Sequence, residues 1–293
     1  MIRSAVKRSR FKKPNLYLFL LPILMCTVGF VYYPFVRTFL YSFSLVNFSG
    51  EILEIVGFSN YRNLFADDVF LLALRNSSIL AITVVPLMLV ISLGLALLCT
   101  NRRTLSPLYE TMFSLPMAMS MTSACMVFKL LFNPTIGIVN YTLGIDFGWF
   151  KDPKTAMVGI ILICVWIGIP FDFLLMLSAV RNVPGQLVES AMIDGAGFTR
   201  RLVSIMIPII SPTIMYLVCV NFVAAFMTAA PVMLITEGGP ARSTTTLIYM
   251  MYTSGYQSSN YSKAACISVV TFLITFGVMA LAMYYERKKV HFE

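Results

Sequence analysis

Hydrophobic residues in this chain gather in six long runs, covering approximately residues 16–41, 76–99, 108–132, 155–180, 209–235 and 264–286. A helix of 24 residues is about 36 Å long, enough to cross a hydrocarbon layer about 30 Å thick with some tilt. The pattern therefore predicts an all-α integral membrane protein of about six transmembrane helices. The spans form one domain, 16–286, between a basic tail (1–15) and a short carboxyl-terminal tail (287–293). The first run is too long for a secretory signal, carries Pro22 and Pro34, and lacks a small-residue cleavage site, so it reads as a retained helix.

Composition agrees with lipid as the main solvent. Of the 293 residues, 58% are hydrophobic and 12% are charged, about half the charged share of a soluble domain. The net charge of +9 does not point to nucleic acid, because the positive residues cluster at the amino terminus (Arg3, Lys7, Arg8, Arg10, Lys12, Lys13) and beside helix ends. That placement fixes orientation instead. With the amino terminus inside, the inner segments hold fourteen Lys and Arg, including Arg102, Arg103, Arg181, Arg200, Arg201 and Arg287. The outer segments hold five: Arg62, Lys151, Lys154, Arg242 and Lys263. Both termini are expected in the cytoplasm.

Several chemistries fall away. The six cysteines all lie in apolar runs without a CxxC pair, and the single histidine, His291, lies in the charged tail. This pattern predicts no disulfide framework, no metal site, no cofactor and no catalysis resting on histidine. No Gly-x-x-x-x-Gly-Lys-Ser/Thr run is present to cradle phosphates, so the chain is expected to be no enzyme by itself.

The inner segment 181–208 reads RNVPGQLVESAMIDGAGFTRRLVSIMIP. Pro184 suits a first helical turn, and Leu187, Val188, Ala191 and Met192 give an apolar face at i, i+4 spacing. Asp194-Gly195 then predicts a stop, since glycine adopts the left-handed conformation that closes a helix. Gly197 is a second joint, and Phe198 to Ile207 is expected to run as a helix until Pro208. A short amphipathic helix at the inner face has two readings. It rests on lipid, or it docks in a groove of a protein partner. Its acidic polar face suits an anionic leaflet poorly.

Glu189-Ser190-Ala191-x-x-Asp194-Gly195-Ala196, followed by Leu202, Ile205 and Pro208, resembles the signature loop of the membrane subunits of importers in the ATP-binding-cassette superfamily, in its carbohydrate-uptake form. Ser190 stands where alanine is usual, and Leu202 where phenylalanine is usual. The resemblance extends over nearly the whole chain, through Val56-Gly57-Phe58-Ser59-Asn60-Tyr61, Leu131-Phe132-Asn133-Pro134 and Glu237-Gly238-Gly239-Pro240. The later part, including Thr244-Thr245-Thr246-Leu247-Ile248-Tyr249, is most similar in appearance to the first membrane subunit of glycerol-3-phosphate importers.

This resemblance implies a permease of a bacterial cytoplasmic membrane that moves a sugar or sugar-like solute inward. It implies a second homologous permease, cytoplasmic ATPase subunits, a solute-binding protein outside, and the lipid bilayer as partners. Glu189, Ser190, Ala191, Asp194, Gly195, Ala196 and Pro208 would then form the coupling helix and its turn, between spans four and five. Gly238, Gly239 and Pro240 would lie where the binding protein docks. Within the membrane, Asp172 and Asn221 are candidates for the solute pathway or for bonds between helices. Tyr249 is a candidate for stacking on a sugar ring or for an aromatic belt. Arg75 and Arg242 are the basic groups available to an anionic solute. The alternative is a secondary transporter, which more often shows broken helices and buried ion pairs.

The charge bias is open to direct test. A reporter active only in the cytoplasm is expected to work after Glu293, and one active only outside is expected to work after Pro240. The reverse pattern would invert the topology.

Overall fold

The computed structural model describes residues 13–100 and 106–289; the amino-terminal residues through Lys12, together with Arg102, Arg103 and His291, lie outside the described residues. Among the described residues, five helices are long and apolar enough to cross a membrane: Leu20–Ser42, Asp68–Thr100, Ala156–Arg181, Phe198–Phe226 and Tyr261–Tyr284. The end of the bundle that carries residues 182–197 is called inner below, after the charge bias.

The expected third span is not one rod. It divides into Ser106–Ala118 and Met121–Leu131, bent by 101°. Pro116 lies at the break, with no N–H to donate and a ring that crowds the preceding turn. Ser120 then starts a new helix in extended conformation, its hydroxyl accepting the Ser123 amide at 3.1 Å. Counted as one crossing, the bent pair brings the total to six.

The fifth span is also displaced from its expected limits of 209–235. It begins at Phe198 and ends at Phe226. Pro208 does not stop it, because a wider π-helical turn, Leu202–Met206, comes just before and makes room for the proline ring. Span one uses the same device, with the π-helical turn Val28–Tyr32 ahead of Pro34. After Phe226 the chain folds back into the bundle. Val232 is fully buried, in one cluster with Leu80, Val84, Ile160 and Cys164.

Spans two and four form the centre. The Met88 side chain packs over Gly168, where a Cβ would sit 2.2 Å from the Met88 methyl and make that side chain shift. Below them Phe173, Met176 and Leu177 of span four pack with Ile210 and Leu217 of span five. At the outer end, Phe70, Ala81, Phe226, Leu247 and Ile267 make a further cluster. Span one lies at the periphery, none of its apolar window buried, with Phe35 edge-on to Phe272 of span six.

The outer segment 42–75, unassigned by the hydrophobic pattern, holds a two-stranded antiparallel hairpin of β1 (Ser44–Val46) and β2 (Ile52–Ile55), pairing Ser44 with Ile55 and Leu45 with Glu54. The run Val56 to Tyr61 fastens it to the bundle. Asn60 Nδ2 donates to the Ser42 and Ser44 carbonyls at 3.1 and 2.9 Å, and the Tyr61 hydroxyl donates to Ser42 Oγ at 2.7 Å. Nearby, Lys263 Nζ donates to Asp67 Oδ2 at 2.7 Å. Burial draws the Asp67 carboxyl upward, but Lys263 and the Val69 and Phe70 amides outweigh it and hold the group below its ordinary range.

The second long outer segment is tied down from within the membrane. Asn76 of span two donates to the carbonyls of Arg242 at 3.2 Å and Thr245 at 3.0 Å, and Ser77 Oγ accepts the Leu247 amide at 2.9 Å. Asn76→Leu keeps the bulk and removes both bonds, so it is expected to destabilise the protein by about 1–3 kcal/mol. A lower apparent melting midpoint in detergent checks this; an unchanged midpoint would show that the segment holds without span two.

Candidate functional site

The inner loop has a defined geometry. A helix spans Gly185–Ile193, capped by Pro184 and Asp194. The Gly195 amide donates to the Met192 carbonyl at 3.1 Å, and the Ala196 amide reaches back to the Ala191 carbonyl at 2.8 Å. With Gly195 at φ +78°, these are the two bonds of a Schellman closure. The spacing of Ala191, Gly195 and Ala196 is thus set by backbone chemistry. Ala191 and Met192 offer carbonyls from the last turn, Gly195 takes the left-handed position, and Ala196 is small and half-buried behind the turn. The Ser190 hydroxyl donates to the Gln186 carbonyl within its own helix, so the position presents almost the surface of alanine.

None of this helix is buried. Val188 leans on the inner core cluster, while Leu187, Met192 and Ile193 are 48%, 55% and 88% exposed, beside exposed Glu189 and Asp194. The predicted apolar face therefore splits between one anchoring valine and an open apolar surface. Arg181, at the root of the loop, makes a two-pronged ion pair with Glu110 of span three, at 2.5 and 3.2 Å. Sequence reasoning missed Glu110; an acid at an inner helix start was the available signal. Pro208 lies within span five, beyond the loop.

The structure brings Asp172 and Asn221 together. Asn221 Nδ2 donates to Asp172 Oδ2 at 2.6 Å, both residues buried between spans four and five. Tyr249 lies elsewhere, on a short helix Leu247–Tyr252 of the outer segment, where its hydroxyl donates to the Glu237 carbonyl at 2.8 Å. Burial, reinforced by Glu237 and Tyr252, pushes this phenol above its ordinary range, so it serves as a neutral donor.

Gly238 is buried and Gly239 and Pro240 are half-buried, so this turn is mainly a structural closure. Thr244 Oγ1 donates to Thr236 Oγ1 at 2.7 Å, Thr245 Oγ1 donates to the Gly238 carbonyl at 3.0 Å, and Thr246 caps the short helix. The outward groups are Glu237, Ala241 and Arg242, all with positive φ. Glu237 and Arg242, together with Val69, Thr245, Tyr249 and Thr253, edge an open cavity of about 320 Å³. Arg75 does not line this cavity.

A profile for the inner membrane component of binding-protein-dependent transport systems matches residues 95–291. The chain belongs to this family. This permease is 34% identical over 281 residues to the sn-glycerol-3-phosphate transport system permease protein UgpA of Pectobacterium atrosepticum, covering 94% of this chain and 95% of the relative. It is 32% identical, with the same coverage, to UgpA of an Escherichia coli strain. Two solved structures share its fold. One is a bacterial alginate ABC transporter in complex with an alginate pentasaccharide-bound periplasmic protein, with TM-score 0.80 at 21% identity over 94% of this chain and 95% of the other. The second is a bacterial ABC transporter involved in the import of the acidic polysaccharide alginate, with TM-score 0.82 at 20% identity over 95% and 97%. Family membership, and not helix continuity, separates this permease from a secondary transporter, since span three is broken.

At Gly238 a Cβ would lie 2.6 Å from the Tyr249 ring and 2.8 Å from Thr245 Oγ1, on a backbone at φ +78°. Gly238→Ala is expected to cost about 1–3 kcal/mol, read as a lower melting midpoint and faster cleavage of the outer segment by added protease. Tyr249→Phe, losing one hydrogen bond, is expected to cost about 1 kcal/mol. Equal, negligible effects would show the turn to be loosely packed.

Proposed function

We propose that this permease forms one half of the solute path of an ATP-driven importer in a bacterial cytoplasmic membrane, with both termini in the cytoplasm. Its partners in this reading are a second permease of the same family, ATPase subunits beneath residues 185–193, and a solute-binding protein on the outer segments. The observation that carries it is the inner helix: closed by its own backbone, anchored by Val188, and presenting Leu187, Met192 and Ile193 away from the bundle. An exposed apolar helix flanked by acids suits a protein groove with basic groups at its rim. Hydrolysis belongs to the separate subunit, as the chain carries no phosphate-cradling loop. Closure of the ATPase would move the loop, and with it spans four and five, as a rigid body.

The break in span three supports the path. Leu115, Met117, Ser120, Thr122 and Ser123 are exposed around the break, inside the apolar run 108–132. Lipid does not tolerate exposed non-helical backbone, so this face meets protein or water. We assign it to the path and to the second permease. The similarity to UgpA proteins along 94% of the chain favours a small polyol or sugar phosphate as solute, with Arg242 and Tyr249 at the outer cavity as its first contacts.

The test is co-purification of the tagged permease from its native membrane. A P-loop ATPase and a second permease are expected with it, and Glu189→Lys or Gly195→Asp is expected to release the ATPase by tenfold or more, about 1.4 kcal/mol. If the wild-type chain comes out alone and the two substitutions change nothing, the proposal is wrong.

A further inference from the structure

Asp172 has none of its surface exposed, and its second oxygen, Oδ1, is buried without a hydrogen-bond partner. Both ion pairs among the described residues lie elsewhere, at Arg181–Glu110 and Lys263–Asp67. The charged groups on its own span and on those packed against it sit toward helix ends: Arg181 on span four, Asp68 and Arg75 on span two, Glu110 and Lys129 on span three, Arg200 and Arg201 on span five. An ionised carboxylate at bilayer depth with a single neutral amide donor is poorly compensated. The Asn221 amide on Oδ2 is the hydrogen bond that holds this carboxyl group at that depth.

The position of the pair matters as much as its chemistry. The Asn221–Asp172 bond links residues 49 apart and closes the hairpin made by spans four and five, with the inner loop helix at its tip. Apolar contacts between the two spans surround it, among them Phe173 and Leu177 against Ile210 and Leu217. Apolar contacts between membrane helices are non-directional and compete with lipid tails of equal polarity. They hold two helices together without fixing how far one slides along the other. A single directional bond does fix it.

We propose that Asp172 and Asn221 are positioning residues: an acid–amide clamp that sets the register of spans four and five, so that a push on the inner loop moves both spans together. Neither residue is needed to touch solute. The proposal rests on the importer reading above and assigns the pair to force transmission.

The test uses the complete complex in liposomes, with ATP inside or outside as the ATPase requires, the binding protein added, and glycerol 3-phosphate as the probe solute. Asp172→Leu and Asn221→Leu are expected to lower the solute moved per ATP hydrolysed by about tenfold, with ATP hydrolysis and the KM for solute little changed. Asp172→Asn, of the same shape and keeping an oxygen that accepts from the Asn221 amide, is expected to restore the wild-type ratio. Two results would overturn the clamp. One is an Asp172→Asn variant as defective as Asp172→Leu, which would show that the negative charge is used. The other is a tenfold rise in KM with the transport-to-hydrolysis ratio intact, which would make the pair a solute contact. If the wild-type complex hydrolyses ATP without moving glycerol 3-phosphate, the solute assignment fails and the clamp does not. It is then judged by trypsin cleavage at Arg200 and Arg201 with ATP bound, which the leucine variants alone should alter; cleavage identical to wild type would refute it. If no ATPase assembles with the wild-type chain, the importer reading itself has failed.

Discussion

Inside a bilayer a free amide or carbonyl finds no water, so each backbone group must be satisfied by the protein itself. Long helices satisfy most of them here, and the irregular places show how the rest are handled. Ahead of Pro34 and Pro208 the chain widens into π-helical turns, which let the helix continue past a residue with no N–H. At Pro116 it does not continue. The chain bends by 101°, and Ser120 caps the next helix with its hydroxyl. The same requirement gives that bend its meaning, because exposed non-helical backbone at this depth belongs against protein or water.

Polar side chains within the apolar spans follow the same logic as fasteners. Asn76 and Ser77 reach the outer segment and Asn221 reaches Asp172, while Asn60 of the outer segment reaches back to the end of span one. Each makes a directional bond where the surrounding contacts are apolar and non-directional. They specify which parts of the fold stay in register, which hydrophobic packing between helices in lipid does weakly. An importer that works by moving a few rigid pieces depends on such specification.

The inner loop shows a local solution to a coupling problem. A helix of nine residues would be marginal in isolation, yet its end is closed by the bonds from Gly195 and Ala196, and Val188 ties it to the bundle. What is left outward is an apolar edge with acids beside it. The Arg181–Glu110 ion pair braces the root of this loop against span three, partly exposed and therefore of modest strength.

The number of spans, the charge bias of the connections, and the helix–glycine turn at 185–195 were legible in the residues alone, because each is local. Length and apolarity decide a span, and Asp194-Gly195 decides a stop. The sequence also pointed at Asp172, Asn221 and Tyr249 as polar groups in unusual surroundings, without showing which partners they take. The break in span three was carried by Pro116 and the Ser120-x-x-Ser123 cap, and it was hidden because the apolar run continues through it. Tertiary structure alone decided that Asn221 meets Asp172 across 49 residues and that Asn76 meets Thr245 across 169. The physical reason is that hydrophobicity and capping are properties of neighbours along the chain. A buried hydrogen bond between spans depends on how helices distant in sequence are rotated and aligned, and a run that is apolar all round carries no record of that.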